Sequence, residues 1–217
     1  MIKAVLFDID GVLLDSEDSN REFYRRLLEE FGYKPPSKEE YRKVFHLNMY
    51  DAIRALTGER EEEKLRKIYK RGVSYPDYED EFLKAPQGLR ETMGVLSKRY
   101  KLGIVTGRTQ SGVDELFKFT GLKGLFSTSV CYEDYSKPKP DPESLLITIS
   151  RLKIKPDEAI YVGDAETDMI AAEKAGINFI LYCQSPLLKS KMWTNDFRKL
   201  PKIISLISSK RSPFSVS

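Results

Sequence analysis

The sequence predicts an α/β fold: a parallel sheet covered by helices on both faces, interrupted by an all-helical insertion. Three observations predict it. Short apolar runs without alternation, of which "KAVLF" near the start is the first, read as strands buried on both faces. After Gly88 such runs alternate with helical patterns, as a parallel sheet with crossover helices requires. Between Asp15 and Lys84 no convincing strand occurs and helical spacing takes over. The core is therefore read as residues 1–14 and 85–217, and the helical insertion as 15–84.

The elements follow in order. In "SEDSNREFYRRLLEEFGY", Phe23, Leu27, Leu28 and Phe31 fall at helical spacing and Gly32 stops the helix. "SKEEYRKVF" opens with Ser37 and Glu40 in capping-box register. "NMYDAIRALTG" and "EREEEKLRKIYKRG" supply two further amphipathic stretches, and the charged run in the second reads as a solvated face. Past the Pro- and Gly-bearing "YPDYEDEFLKAPQG", "LRETMGVLSKRY" reads as a helix and "KLGIV" as a strand ending at Thr106. A helix from Gly112 to Thr120, a strand from Phe126 to Val130 and a helix from Pro142 to Leu152 come next. "EAIYVGD" is a strand ending at Asp164, "TDMIAAEKAG" a helix, "NFILY" a last strand and "LPKIISLI" a final helix. The tail "SSKRSPFSVS" is expected to fray.

Composition narrows the function classes. The 217 residues are 41% hydrophobic and 32% charged, the balance of an ordinary soluble chain. A net charge of +3 gives no electrostatic case for nucleic acid or an anionic membrane. No apolar run approaches the roughly 20 residues a membrane helix needs, and no signal peptide is visible. The 2 cysteines, Cys131 and Cys183, have no metal or redox spacing, so a reducing, cytoplasmic setting is expected.

The polar residues at strand ends carry the functional reading. In an open α/β sheet, ligands sit beyond the carboxyl ends of the strands. Those ends carry Asp8 and Asp10, Thr106, and Asp164, and Lys137 lies in the Pro-stiffened loop "SKPKPDP". Strand periodicity sends the Asp8 and Asp10 side chains the same way. Clustered carboxylates are tolerated when a divalent cation sits among them, and an all-oxygen set with room for water suits Mg²⁺. With 1 histidine and no paired cysteines, zinc is disfavoured. A cation plus a lysine would neutralise a phosphate; a carboxylate can then attack phosphorus, and a second carboxyl group, protonated, can pass its proton to the leaving oxygen.

"DIDG", "VTGR", "SKPKPDP" and "VGDAETD", in that order, resemble the four motifs of the haloacid dehalogenase-like hydrolases. The resemblance covers most of residues 1–14 and 85–207. The helical insertion is similar to the family's small helical cap, as in phosphoglycolate phosphatases and β-phosphoglucomutases. It implies a Rossmann-like core with Asp8 as nucleophile and Asp10 as general acid/base. Thr106, with the Gly107 backbone, would bind the phosphoryl group, and Lys137 would neutralise phosphate and Asp8. Asp8, the Asp10 backbone carbonyl and Asp164 would hold Mg²⁺. Asp168 would orient metal-bound water or Lys137. An Asp two residues after the nucleophile marks the family's phosphatases and phosphomutases, so dehalogenation is disfavoured.

Each signal has a plainer reading. Asp8 and Asp10 suit a turn, Thr106 a helix cap, Lys137 a solvated loop, and Asp164 and Asp168 the start of a helix. "DIDGVLLDSE" also has a calcium-loop look, but Gly11 comes too early. His46 reads first as a surface or packing residue. "HLNM", residues 46–49, nevertheless corresponds to the cap loop facing the family's active site, which makes His46 and Asn48 candidate substrate contacts. Arg108 reaches either substrate or solvent. The insertion rejoins the core through short segments, a hinge suited to a lid. The expectation is a Mg²⁺-dependent phosphatase on a small phosphorylated metabolite, a monomer or homodimer with no nucleic-acid or membrane partner. The alternatives are a phosphomutase with the same aspartyl-phosphate, a pyrophosphatase, or a non-catalytic binding homologue.

Overall fold

A computed structural model of the chain describes residues 1–45, 47–74, 83–183, 190 and 192–209. The chain divides into two compact units, Met1–Asp15 with Ala85–Ser217, and Ser16–Lys84. The larger unit holds strands β1 (Ala4–Phe7), β2 (Lys101–Val105), β3 (Phe126–Val130), β4 (Ala159–Gly163), β5 (Asn178–Tyr182) and β6 (Trp193–Thr194). The smaller holds helices α1 (Glu17–Glu30), α2 (Lys38–Arg42), α3 (Met49–Thr57) and α4 (Glu62–Val73). Helices α5 (Leu89–Ser97), α6 (Gln110–Thr120), α7 (Glu143–Leu152), α8 (Glu166–Ala175) and α9 (Leu200–Ser209) belong to the larger unit again. The tail from 210 onward, expected to fray, and 75–82 lie outside the described residues.

The strands form one parallel sheet in the order β3-β2-β1-β4-β5-β6. The order turns outward in both directions from the β1–β4 pair, which makes that seam the topological switch point of a Rossmann-like sheet. β1 and β4 are buried over their whole length, which is why "AVLF" and "AIYVG" carry no alternation. On one face Ala4, Leu6 and Tyr161 pack with Leu145, Ile149 and Leu152 of α7 and Ala171, Ala172 and Ala175 of α8. Phe7 projects to the opposite face, as period two requires. There it meets Phe197 at a ring separation of 6.2 Å, and Phe197 meets Tyr182 at 5.6 Å.

The strand that sequence patterning did not anticipate is β6. It is two residues long and pairs with β5 through Leu181–Trp193 and Tyr182–Thr194, too short for a periodic signal. The smaller unit has its own core of Tyr24, Leu27, Leu28, Tyr41, Val44, Ala52, Ile53, Leu65 and Ile68. The Ser37 capping box is formed: Glu40 N–H donates to the Ser37 hydroxyl and Ser37 N–H to the Glu40 carboxylate.

Candidate active site

Asp8 leaves β1 at the switch point. Its N–H still donates to Val162 O at 3.0 Å, so the strand pairing carries one residue past β1. Its Oδ1 accepts from Ile9 N–H at 2.8 Å, and its Oδ2 lies 3.1 Å from Lys139 Nζ. The chain then turns at Gly11, whose φ of 71° suits glycine. A Cβ built there would sit 2.0 Å from Asp164 Oδ2, so the backbone of "DIDG" and the carboxylate of "VGD" meet closely.

Asp8, Asp164 and Asp168 bring carboxylate oxygens within 4.8 Å of one another. Burial pushes the Asp8 carboxyl up to about 7; Lys139 opposes the rise and the neighbouring Asp168 and Asp10 reinforce it. Burial likewise holds Asp164 well above the ordinary carboxylate range, with Asp168 and Asp8 adding repulsion. Asp168 is differently placed. Its Oδ1 accepts from Lys139 Nζ (2.6 Å) and Tyr161 OH (2.8 Å), and its Oδ2 from the N–H groups of Asp164 (3.3 Å) and Ala165 (3.2 Å). Two donors at each oxygen use its lone pairs, so Asp168 acts as a support for its neighbours.

The lysine amine that the structure brings to Asp8 and Asp168 is that of Lys139, not that of the expected Lys137. Glu143, at the start of α7, accepts the N–H groups of Ser136 (3.2 Å) and Lys137 (2.8 Å) and pins the loop by its backbone. The Lys137 side chain is left exposed. Two residues on, the Lys139 amine turns inward between Asp8 and Asp168, with Tyr161 OH at 3.0 Å. Burial disfavours its charge, but Asp168 and then Asp8 outweigh that and push the amine well above the usual lysine value.

Thr106 is buried directly after β2, and its Oγ1 accepts from Arg108 N–H at 3.1 Å, which shapes the turn through the exposed Gly107. The Arg108 guanidinium pairs with Asp10, Nε to Oδ2 at 2.9 Å and Nη2 to Oδ1 at 2.8 Å. Asp10 is not one of the three acids that cluster within 4.8 Å, but its charge still raises Asp8 and Asp164. Asn48 caps α3: its Oδ1 accepts from Asp51 N–H at 3.0 Å and its amide donates to the Asp51 carboxylate at 2.7 Å. That gives its side chain a structural task within the helical unit. His46 lies outside the described residues. Sequence reasoning missed Tyr161. A tyrosine inside a fully buried strand must satisfy its hydroxyl, and here it does so on Asp168 and Lys139.

Residues 5–182 match the family model for haloacid dehalogenase-like hydrolases. The chain belongs to that family. Among curated proteins it is similar to pyrophosphatase PpaX of Bacillus velezensis, with 32% identity over 176 residues, 81% of this chain and 80% of the relative. It is also similar to the phosphorylated carbohydrates phosphatase of Thermotoga maritima, with 31% identity over 182 residues, 82% and 84% of the two chains. A solved subfamily IA haloacid dehalogenase-superfamily hydrolase from Geobacter sulfurreducens superposes with a TM-score of 0.72 at 30% identity. That match covers 94% of this chain and 100% of the other. The chain is accordingly an enzyme, a hydrolase of the phosphatase kind, with the family's Rossmann-like core.

The donor chemistry of this haloacid dehalogenase-like site fits a divalent cation. The group is all oxygen, and two of its three carboxylates, Asp8 and Asp164, are held in burial that disfavours their charge. A cation between them removes that penalty. Among the described residues no helix is long and apolar enough to cross a membrane.

Proposed function

We propose that this enzyme is a Mg²⁺-dependent phosphatase that hydrolyses a small phosphorylated metabolite through an aspartyl-phosphate on Asp8. The observation that carries the reading is the Asp8 carboxylate at the switch point, contacting a buried lysine amine and facing Asp164. An Asp8 oxygen forms the bond to phosphorus as the bond to the leaving oxygen breaks. Asp10 gives that oxygen a proton. Water then attacks phosphorus, Asp10 takes its proton, and Asp8 is released as the carboxylate with inorganic phosphate. Lys139 neutralises Asp8 and the incoming phosphoryl group, while Asp168 and Tyr161 hold the Lys139 amine in place. Thr106 and the Gly107 backbone bind phosphoryl oxygens. Asp8, Asp164 and the Asp10 carbonyl hold Mg²⁺, which when bound supplies positive charge to the phosphoryl oxygens.

The PpaX and carbohydrate-phosphatase relatives support hydrolysis over phosphomutase chemistry and suggest a sugar phosphate or pyrophosphate as substrate. The two cysteines, without metal or redox spacing, are in keeping with a cytoplasmic setting. The test is phosphate release from a panel of sugar phosphates, phosphoglycolate, nucleotides and pyrophosphate, with Mg²⁺ and with excess EDTA. Release from part of the panel, lost with EDTA, is expected. Rates unchanged by EDTA would remove the metal, and silence across the panel would remove the hydrolase reading.

A further inference from the structure

We propose that Tyr135 is a positioning residue: its phenol fixes the Thr106–Gly107 peptide so that the Gly107 N–H is presented to a phosphoryl oxygen. The inference deepens the phosphatase reading above and rests on it.

Three successive N–H groups follow β2. Thr106 N–H donates to Val130 O at 3.0 Å, and Arg108 N–H donates to Thr106 Oγ1 at 3.1 Å. Between them the Gly107 N–H has no acceptor among the described residues, and Gly107 is exposed. The other end of that peptide is occupied. Tyr135 OH donates to Thr106 O at 3.2 Å, and a Cβ built on Gly107 would lie 3.9 Å from the same hydroxyl oxygen. The Thr106–Gly107 peptide is trans, so its C=O and N–H point opposite ways. Holding the oxygen therefore sets the direction of the N–H. A hydrogen bond accepted at the carbonyl also polarises the amide and strengthens its N–H as a donor.

Tyr135 is itself held on both sides. Before it, Asp134 accepts the Cys131 N–H at 2.9 Å and pairs with Arg151 of α7. After it, Glu143 accepts the N–H groups of Ser136 and Lys137. The Tyr132 ring meets the Tyr135 ring edge-on at 6.3 Å, and Tyr132 N–H donates to Arg108 O at 2.8 Å. The bonds to Thr106 O and Arg108 O thus tie residues 132–135 to the turn on either side of Gly107. Burial pushes the Tyr135 hydroxyl up to about 12, with Lys139 opposing the rise and Asp8 reinforcing it. The phenol therefore keeps a hydrogen to donate, and it stands within reach of the site's charges.

The experiment compares wild type with Tyr135→Phe, which keeps the ring and removes the hydroxyl, in saturating Mg²⁺. kcat/KM is read on two substrates with different leaving groups that wild type hydrolyses. Inhibition by orthovanadate, which takes up the geometry of phosphoryl transfer, is read beside it. The Gly107 amide resonance of the full chain is followed by NMR with and without orthovanadate. Loss of a whole oxyanion donor costs about 10²- to 10³-fold, and a donor kept but no longer aligned should cost less. Tyr135→Phe is therefore expected to lose about tenfold in kcat/KM on both substrates, with orthovanadate inhibition weakened by a similar factor. In wild type the Gly107 amide proton is expected to move downfield on adding orthovanadate, and in Tyr135→Phe to move less. A purely structural role would lower the melting temperature and leave that difference absent, which overturns the inference. A loss confined to one substrate overturns it in favour of contact between the phenol and that leaving group. If Tyr135→Phe does not fold, the wild-type spectrum decides: a Gly107 amide unmoved by orthovanadate overturns the inference, and a downfield move supports it. Unchanged kcat/KM in folded Tyr135→Phe overturns it while leaving the phosphatase reading intact. A wild type inactive across the whole panel overturns the reading and this inference together.

Discussion

At the scale of single residues, the site is a problem in charge. Three buried or half-buried acids converge, and one lysine amine offsets them. Which lysine does so was not legible from "SKPKPDP", where Lys137 and Lys139 share a loop and a composition. The choice is made by Glu143, which anchors the backbone at 136 and 137 and leaves position 139 to turn inward. Lys139→Ala should lower kcat by roughly 10²-fold or more, as removal of a preorganised charge does, while Lys137→Ala should stay near wild type in the same assay. The acids also set a pH signature. Asp8 binds its proton more tightly folded, at about 7, than its ordinary value of 3.8. A group raised in this way contributes stability below the unfolded value and loses it as pH rises through the folded one. Metal-free wild type should therefore melt at lower temperature as pH goes from about 4 to 8. Asp8→Asn should flatten that fall and melt higher at the alkaline end. Parallel melting curves against pH for the two proteins in EDTA would contradict the Asp8 assignment.

At the scale of elements, the strands were readable because burial on both faces leaves only apolar residues between their polar ends. "KLGIV" and "NFILY" coincide with β2 and β5, and the polar residues at strand ends follow β1, β2 and β4 directly. What pattern could not show was pairing across distance. The Arg108–Asp10 fork and the Tyr161–Asp168–Lys139 set join segments that carry no local mark of one another. Asn48 is instructive in the other direction. Its position in "HLNM" suggested substrate contact, but a residue just before a helical run is also where an N-cap belongs. Asn48→Ala should lower stability by about 1 kcal/mol in a denaturant melt. Within the helical unit's core, fully buried Leu65 should be costlier: Leu65→Ala is expected to lose about 2–5 kcal/mol.

At the scale of the whole molecule, the sheet order explains how an acid in the first strand's tip meets acids more than 150 residues later. β1 lies at the centre of the sheet, and the outward turn of the strand order between β1 and β4 brings residues 8 and 164 together. The helical insertion leaves just after that first motif, so it interrupts the core's sequence without interrupting its sheet. A cation that joins acids from both sides of the seam binds the folded core and not the unfolded chain, so it should stabilise the whole unit. At about a hundred times its dissociation constant Mg²⁺ would add roughly 2.7 kcal/mol. A rise in melting temperature with Mg²⁺ that Asp164→Ala abolishes is the expected result. The same rise in that variant would place the cation elsewhere.

The central claim is that Asp8 attacks phosphorus. Its most direct test is the rate of phosphate release by Asp8→Asn beside wild type, on the best substrate of the panel, in Mg²⁺, with both proteins shown to be folded by their melting curves. An amide keeps the shape of the side chain and removes the nucleophilic oxygen. Folded protein with no turnover above background is the predicted result. Folded Asp8→Asn that releases phosphate at the wild-type rate would contradict the account.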